Sequence, residues 1–189
     1  MEMKIAVELA ISLGDLMPII LSNRTNRPFI FGDAPVIFTN LYQKRVKHRG
    51  VLGAKASGLL VYYPISPTHA VLLVDSYVYR IKKIIGSVVK LTQFPDVVML
   101  NKLQIHNAAS AIYFSEYKYA DYVTELWRQE RNELTDHRGV VVEAPGLDRN
   151  GNGDIIHTFD RQLPLIPKLS FLQHAEVEEN THELLRGNI

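Results

Sequence analysis

The sequence predicts an α+β fold, a mostly antiparallel sheet packed by two or three helices. Two observations carry this. Short β-branched and aromatic runs recur on either side of Gly and Pro breaks, as in Leu59-Leu60-Val61-Tyr62-Tyr63 and Ala70-Val71-Leu72-Leu73-Val74. Two other stretches, opening near Phe94 and after Ser115, set apolar residues at helical spacing behind a capping residue. At 189 residues the chain can bury about 70% of the surface of its unfolded form, so one core suffices. Residues 1–175 are expected to make a single domain and 176–189 an acidic, flexible tail.

Taken in order, Ile5, Val7, Leu9, Ala10 and Leu13 follow a loose helical period. Asp15 then suits the cap of a second turn in which Pro18 is tolerated near the start, so a helix or kinked helix is expected here. The polar cluster from Asn23 to Arg27 leads into Phe29-Ile30-Phe31. After Gly32-Asp33-Ala34-Pro35 the apolar run resumes as Val36-Ile37-Phe38, which reads as two strands or one strand with a sharp bend. Lys44, Arg45, Lys47, Arg49 and Lys55, with His48 and no acid among them, make a basic loop. Pro64 and Pro67 bracket a stiff turn between the two clearest strands. Tyr77 to Leu91 alternates basic and apolar residues around Gly86, as an extra hairpin would.

Asp96 is the expected N-cap of the next helix, in which Val97, Leu100, Leu103 and Ala108 recur at helical spacing. Asn101 falls in its middle. Asn is a poor helix former, and one in apolar surroundings implies a buried hydrogen bond, to a strand end or a turn. Ala111-Ile112-Tyr113-Phe114 reads as a short strand, with Ser115 capping a helix from about Tyr117 to Leu134 that packs on the sheet through Ala120, Val123 and Leu126 or Trp127. Val140-Val141-Val142 and Ile155-Ile156-His157-Thr158-Phe159 are further strands around an Asp148 to Asp154 loop, and Leu169-Ser170-Phe171-Leu172 closes the fold.

The composition narrows the chemistry. With no cysteine, thiolate metal sites, cysteine nucleophiles and disulfides are excluded, and an intracellular, cytoplasmic setting is the natural expectation. Glu2, Lys4, Glu8 and Asp15 interrupt the apolar start, so a soluble protein with no membrane segment is expected. Net charge is +1, unevenly divided: residues 1 to 115 carry 13 Lys/Arg against 6 Asp/Glu, and residues 116 to 189 carry 8 against 14. The basic front can meet an anionic partner, or simply attract the acidic rear within the fold.

Familiar motifs are incomplete. Asp148, Asn150, Asn152, Gly153 and Ile155 fall at calcium-loop offsets, yet Phe159 stands where the bidentate glutamate belongs, so a hairpin turn is the better reading. Ser115 and Lys118 match Ser-x-x-Lys without its companion motifs, and helix capping explains Ser115 better. His69 has no chemical partner nearby in sequence. No metal and no cofactor is implied. What remains is Asp33, a carboxylate in a turn between apolar strands, able to cap backbone amides or to act as a ligand or base.

Phe29-Ile30-Phe31-Gly32-Asp33-Ala34-Pro35-Val36, then Tyr63-Pro64-Ile65-Ser66-Pro67, then Leu100-Asn101 and Ala111-Ile112-Tyr113 together resemble the family catalogued as domain of unknown function 4238. Its usual pattern is Phe-Ile-x-Ser-Asp-x-Pro-Val, a Pro-Leu-Ser-Pro turn, and an Asn on a helix before a short strand. The agreement in order and spacing runs from Arg27 to Ser115. Gly32 replaces the usual serine, and the His-x-x-Pro segment with which the family usually begins is absent. The resemblance implies an α+β fold and, through the absent segment, completion by a second chain or by self-association.

Two functions are therefore carried forward. One is a binding or interaction module, in which Asp33, Pro64, Ser66, Pro67 and Asn101 fix the turns, its partner another protein or a second copy. The other is an enzyme on nucleic acid or another phosphate-bearing substrate, nuclease-like, with Asp33 and Asn101 as catalytic candidates and Lys44, Arg45, Lys47 and Arg49 holding phosphates.

Overall fold

In the computed structural model the described residues are 10–43, 52–131, 165 and 167–174, together with the backbone of 140–145 and 154–159. The α+β expectation holds. Strands β1 (Met17–Asn23), β2 (Phe31–Gly32), β3 (Ile37–Asn40), β4 (Leu59–Ser66), β5 (His69–Val74), β6 (Tyr79–Ile81), β7 (Ile84–Ile85) and β8 (Val88–Leu91) precede helix α1 (Phe94–Asn107). After it come β9 (Ile112–Tyr113), a 3-10 turn (Tyr117–Tyr119), helix α2 (Ala120–Arg131), β10 (Val140–Pro145), β11 (Asp154–Phe159) and β12 (Leu172–His174).

The main sheet has the order β3-β4-β5-β1-β8-β7, antiparallel throughout except for the parallel β1–β8 pair. Its central strand β1 corrects the helix expected beyond Asp15. Residues 10–12 are helical, but the chain from Met17 onward is extended. Pro18 was the misleading signal. The Ile20 amide donates to Ser87 on the β8 side, so by strand alternation the Pro18 nitrogen points the same way, beyond the start of the β8 ladder. A proline there forfeits no ladder bond. The expected hairpin after Tyr77 is β7–β8, turned at Gly86, while Lys83 lies in the turn that enters β7; both are at positive φ.

One face of the sheet makes the main core. Ile19, Leu21, Leu60, Tyr62, Leu72, Val74, Val89 and Leu91 meet Val97, Leu100 and Leu103 of α1. Each such side chain is worth about 1.5–3 kcal/mol of burial, so α1 is anchored mainly by these three. The other face carries a smaller cluster of Leu16, Leu59 and Val61 with Leu13, Phe38 and Leu73. β12 returns to pair with β6, and Leu169 and Phe171 enter the main core beside it.

Two expectations about the helices are corrected. Gln93, not Asp96, is the N-cap of α1, with Pro95 in the first turn. Asp96 is buried and accepts the Ser170 amide at 2.7 Å and the Ser170 hydroxyl at 2.6 Å, so it ties the C-terminal segment to the helix start. Helix α2 packs on α1 rather than on the sheet: Val123 and Leu126 cluster with Ile105 and with Ile30. Helix α1 is consequently enclosed on several sides, which explains how Asn101, Gln104 and His106 come to be buried. The tail 176–189 and the Asp148 to Gly153 loop lie outside the described residues.

Candidate functional site

The segment from Pro28 to Val36 bends at Asp33 and Ala34, and among the described residues only its Phe31 and Gly32 pair with another strand, β9. Its other partner is a row of side-chain amides on α1. Asn101 accepts the Ile30 amide at 3.1 Å through Oδ1 and donates to the Pro28 carbonyl at 2.8 Å through Nδ2. One turn on, Gln104 accepts the Gly32 amide at 2.8 Å and donates to the Pro35 carbonyl at 2.9 Å. Asn107 then donates to the Ala34 carbonyl at 2.6 Å. Residues three apart share a helix face, so the three amides form a polar ladder beside the segment. Asn101 and Gln104 are fully buried, and each primary amide supplies the donor and the acceptor that a neighbouring strand would have offered.

Asp33 belongs to the same junction and points the other way. Its carboxylate is exposed and accepts the Ala109 amide at 2.6 Å, the Ser110 amide at 2.8 Å and the Ser110 hydroxyl at 2.8 Å. The Asp33 amide donates in turn to the Ala111 carbonyl at 3.1 Å. The Ser110 hydroxyl, with the backbone amides of Ala109, Ser110 and Ala111 behind it, lowers the carboxyl from its ordinary 3.8 to about 2. Asp33 thus fastens the loop after α1, while Asn101 fastens the segment before the break and donates to the Tyr122 hydroxyl at 3.2 Å. The two candidates occupy one junction without sharing a hydrogen bond.

A second polar cluster, which the sequence did not reveal, lies where β3 ends. Tyr79 receives the amides of Leu41 and Tyr42 at 3.1 and 3.0 Å and donates to the Gly58 carbonyl at 2.8 Å. Asp75 accepts the Gly58 amide at 2.7 Å, and Asn40 donates to the Ser57 carbonyl at 2.9 Å. Gly58 has φ +77°, and a Cβ there would overlap that of Tyr42, so glycine is required. Burial, the largest influence, pushes the Tyr79 phenol well up, so it stays protonated and donating. These residues bind the chain on both sides of the basic loop. Lys44, Arg45, Lys47 and Arg49 themselves lie outside the described residues.

Between α1 and α2, Glu130 joins Lys102 at 2.7 Å and His106 Nε2 at 2.7 Å, with the His106 and Glu130 side chains 3% and 8% exposed. Burial pushes the Glu130 carboxyl up, but hydrogen bonds from Lys102 and His106 outweigh it and the net shift is down. His106 Nδ1 is buried without a hydrogen-bond partner among the described residues. Among the described residues no group of three His, Cys, Asp or Glu side chains is placed to hold a metal ion, and no helix is long and apolar enough to cross a membrane.

A groove of about 610 Å³ lies between Arg27, α1 and α2. Phe94 and Val98 of α1 and Leu126 of α2 supply its apolar lining, and Lys102, Lys118, Asp121 and Glu125 its charges beside Arg27. Arg27 stacks over Tyr122, its Cζ 4.5 Å from the ring centre and 5.7 Å from that of Phe94.

Residues 1–118 match a family described as "Protein of unknown function (DUF4238)". The chain belongs to this DUF4238 family. No curated protein and no solved structure matches the chain. The amide ladder, Asp33 and the Pro64 to His69 turn all fall within the DUF4238 match, whereas α2 and the second wall of the groove lie beyond it. At Gly32 a Cβ would stand 3.1 Å from the Gln104 carbonyl oxygen and 3.2 Å from the Ala108 Cβ. Gly32 therefore permits the close approach of segment and helix. In the proline turn, Ser66 Oγ accepts the His69 and Thr68 amides, and the Pro67 carbonyl receives the Phe29 amide at 2.9 Å. His69 is exposed and meets Thr68 Oγ1 at 3.0 Å.

Gln104 and Asn107 were missed in the sequence. The available signal was the spacing of Asn101, Gln104 and Asn107, three amide side chains at successive intervals of three in a helix that otherwise presents a core stripe.

Proposed function

We propose that the protein is a binding module whose recognition face is built on the junction of the Pro28 to Val36 segment with α1 and α2. The observation that carries this reading is the direction of the junction's polar groups. Asn101, Gln104, Asn107 and Asp33 direct their amide and carboxylate hydrogen bonds to the chain's own backbone and neighbouring side chains. Groups so engaged hold a surface rigid, which lowers the entropic cost of recognition. Beside them the chain leaves a groove of small-molecule size and exposed apolar side chains at Val36, Tyr113 and Phe114. The occupant of the apolar surface is a partner chain or a second copy.

The test compares wild type with Asp33→Ala and Asn101→Ala for fold, melting temperature and hydrolysis of RNA, DNA and a phosphomonoester. A module shows no hydrolysis above a buffer control, and both substitutions lower the melting temperature. Hydrolysis that disappears in Asp33→Ala while its melting temperature is unchanged would overturn the reading in favour of phosphate-ester chemistry. Light scattering over a concentration series then separates self-association from a foreign partner.

A further inference from the structure

Arg27 is fixed at both ends. Its amide donates to Thr25 Oγ1 at 3.2 Å and its carbonyl receives Asn23 Nδ2 at 2.6 Å. Its guanidinium lies on the face of Tyr122, whose hydroxyl is in turn held by Asn101. The same Asn101 that fastens the extended segment thus also sets the ring on which Arg27 rests. Yet no acid among the described residues forms an ion pair with the guanidinium. Its Nε is buried without a hydrogen-bond partner, and no ion pair joins Arg27 to any described residue.

The other charges of the groove are differently placed. Lys102 is bound to Glu130 at 2.7 Å, Lys118 to Glu116 at 2.8 Å, and Glu125 to Arg128. Arg27 is left as the groove's cation without an ion-pair partner among the described residues, in a groove of about 610 Å³ lined by Phe94 and Val98 of α1 and Leu126 of α2. A planar guanidinium offers parallel N–H donors that match carboxylate and phosphate oxygens, and stacking has already removed much of its rotamer freedom.

We propose that this groove binds a small anionic ligand, one carboxylate or phosphate group received by Arg27 and a flat apolar body laid on Phe94, Val98 and Leu126. The proposal rests on the binding-module reading and names the ligand class. Lys118 adds long-range attraction at the rim, and Asp121 opposes it, which sets the sign of two control substitutions.

The experiment is calorimetric titration of the full chain with phenyl phosphate, phenylacetate and the neutral benzyl alcohol. Phenyl phosphate, phenylacetate or both should bind, benzyl alcohol should not, and the preferred anion identifies the group. Arg27→Gln should weaken binding at least about tenfold through loss of the bidentate pair. Asp121→Asn should tighten it by roughly threefold and Lys118→Gln weaken it by about as much, both effects shrinking at high salt. These two rim substitutions keep the proposal testable if Arg27→Gln does not fold. Equal binding of benzyl alcohol, an unchanged affinity in the Arg27 and rim variants, or no heat with any probe at millimolar concentration overturns the proposal. The fastening roles of Asn101 and Asp33 are read separately, from melting temperature and hydrolysis, so failure of the groove is distinguishable from failure of the module reading.

Discussion

The Oδ1 of Asn101 accepts the amide of Ile30 at 3.1 Å across 71 residues of sequence, so that a helix side chain stands where a β-strand would. With Gln104 on Gly32 the arrangement repeats one turn later. Truncating Asn101 to Ala leaves the buried Ile30 amide and the Pro28 carbonyl without these partners. Such groups cost about 1–3 kcal/mol each, so Asn101→Ala should lose about 2–6 kcal/mol in urea denaturation, and Gln104→Ala a comparable amount. A loss no larger than that of an exposed Ala substitution would remove the ladder's structural role.

Asp33 should make stability depend on acid pH. Its folded value is about 2, below the ordinary 3.8, so its contribution is whole above the unfolded value and is lost as pH falls through the folded one. Between about pH 4 and pH 2 the melting temperature of wild type should fall toward that of Asp33→Asn, which lacks this titration. A difference between the two proteins that stays constant across that window would contradict the hydrogen-bonding assignment.

Glu130 acts in the same direction at a buried place. Its carboxyl is depressed because Lys102 and His106 outweigh burial. The stabilisation is therefore present above the ordinary carboxylate value of 4.5 and lost as pH falls below it. Glu130→Gln should loosen α2 from α1 and flatten that part of the acid profile, with carboxyl-carbon NMR shifts reporting the titration in wild type.

The cluster at the end of β3 should be as sensitive as the core. Tyr79→Phe leaves three backbone groups without their hydroxyl partner and should cost at least about 3 kcal/mol, although it removes a single oxygen. Gly58→Ala should cost about 1–3 kcal/mol from its positive φ, with the overlap at Tyr42 in addition. Chemical denaturation of both variants checks this.

How much of this was legible in the sequence follows from the range of each interaction. β4 and β5 were plain because their β-branched runs and proline turn are local signals. Asn101 stood out because a mid-helix Asn among apolar neighbours needs a partner, and of the strand end or turn expected, its partners are at a strand end, Pro28 and Ile30 just before β2. Pro18 misled because the rule against proline in central strands depends on where the neighbouring ladder begins, which is a tertiary fact. Asp96 looked like a helix cap, yet its partner Ser170 lies 74 residues away. The Tyr79 cluster and the Arg27 groove are likewise made by distant segments, and single-residue propensities carry no trace of them. The family resemblance found Asp33 and Asn101 together, but only their hydrogen bonds distinguish fastening from open polar groups.

The most direct test is hydrogen exchange at the Ile30 amide, measured by NMR in wild type and in Asn101→Ala and scaled to the Leu72 amide in the middle of the sheet. If the Asn101 side chain replaces a strand partner, the Ile30 amide is protected in wild type and exchanges at least about tenfold faster relative to Leu72 in the variant. An Ile30 amide that exchanges freely in wild type, or whose rate relative to Leu72 is the same in both proteins, contradicts it.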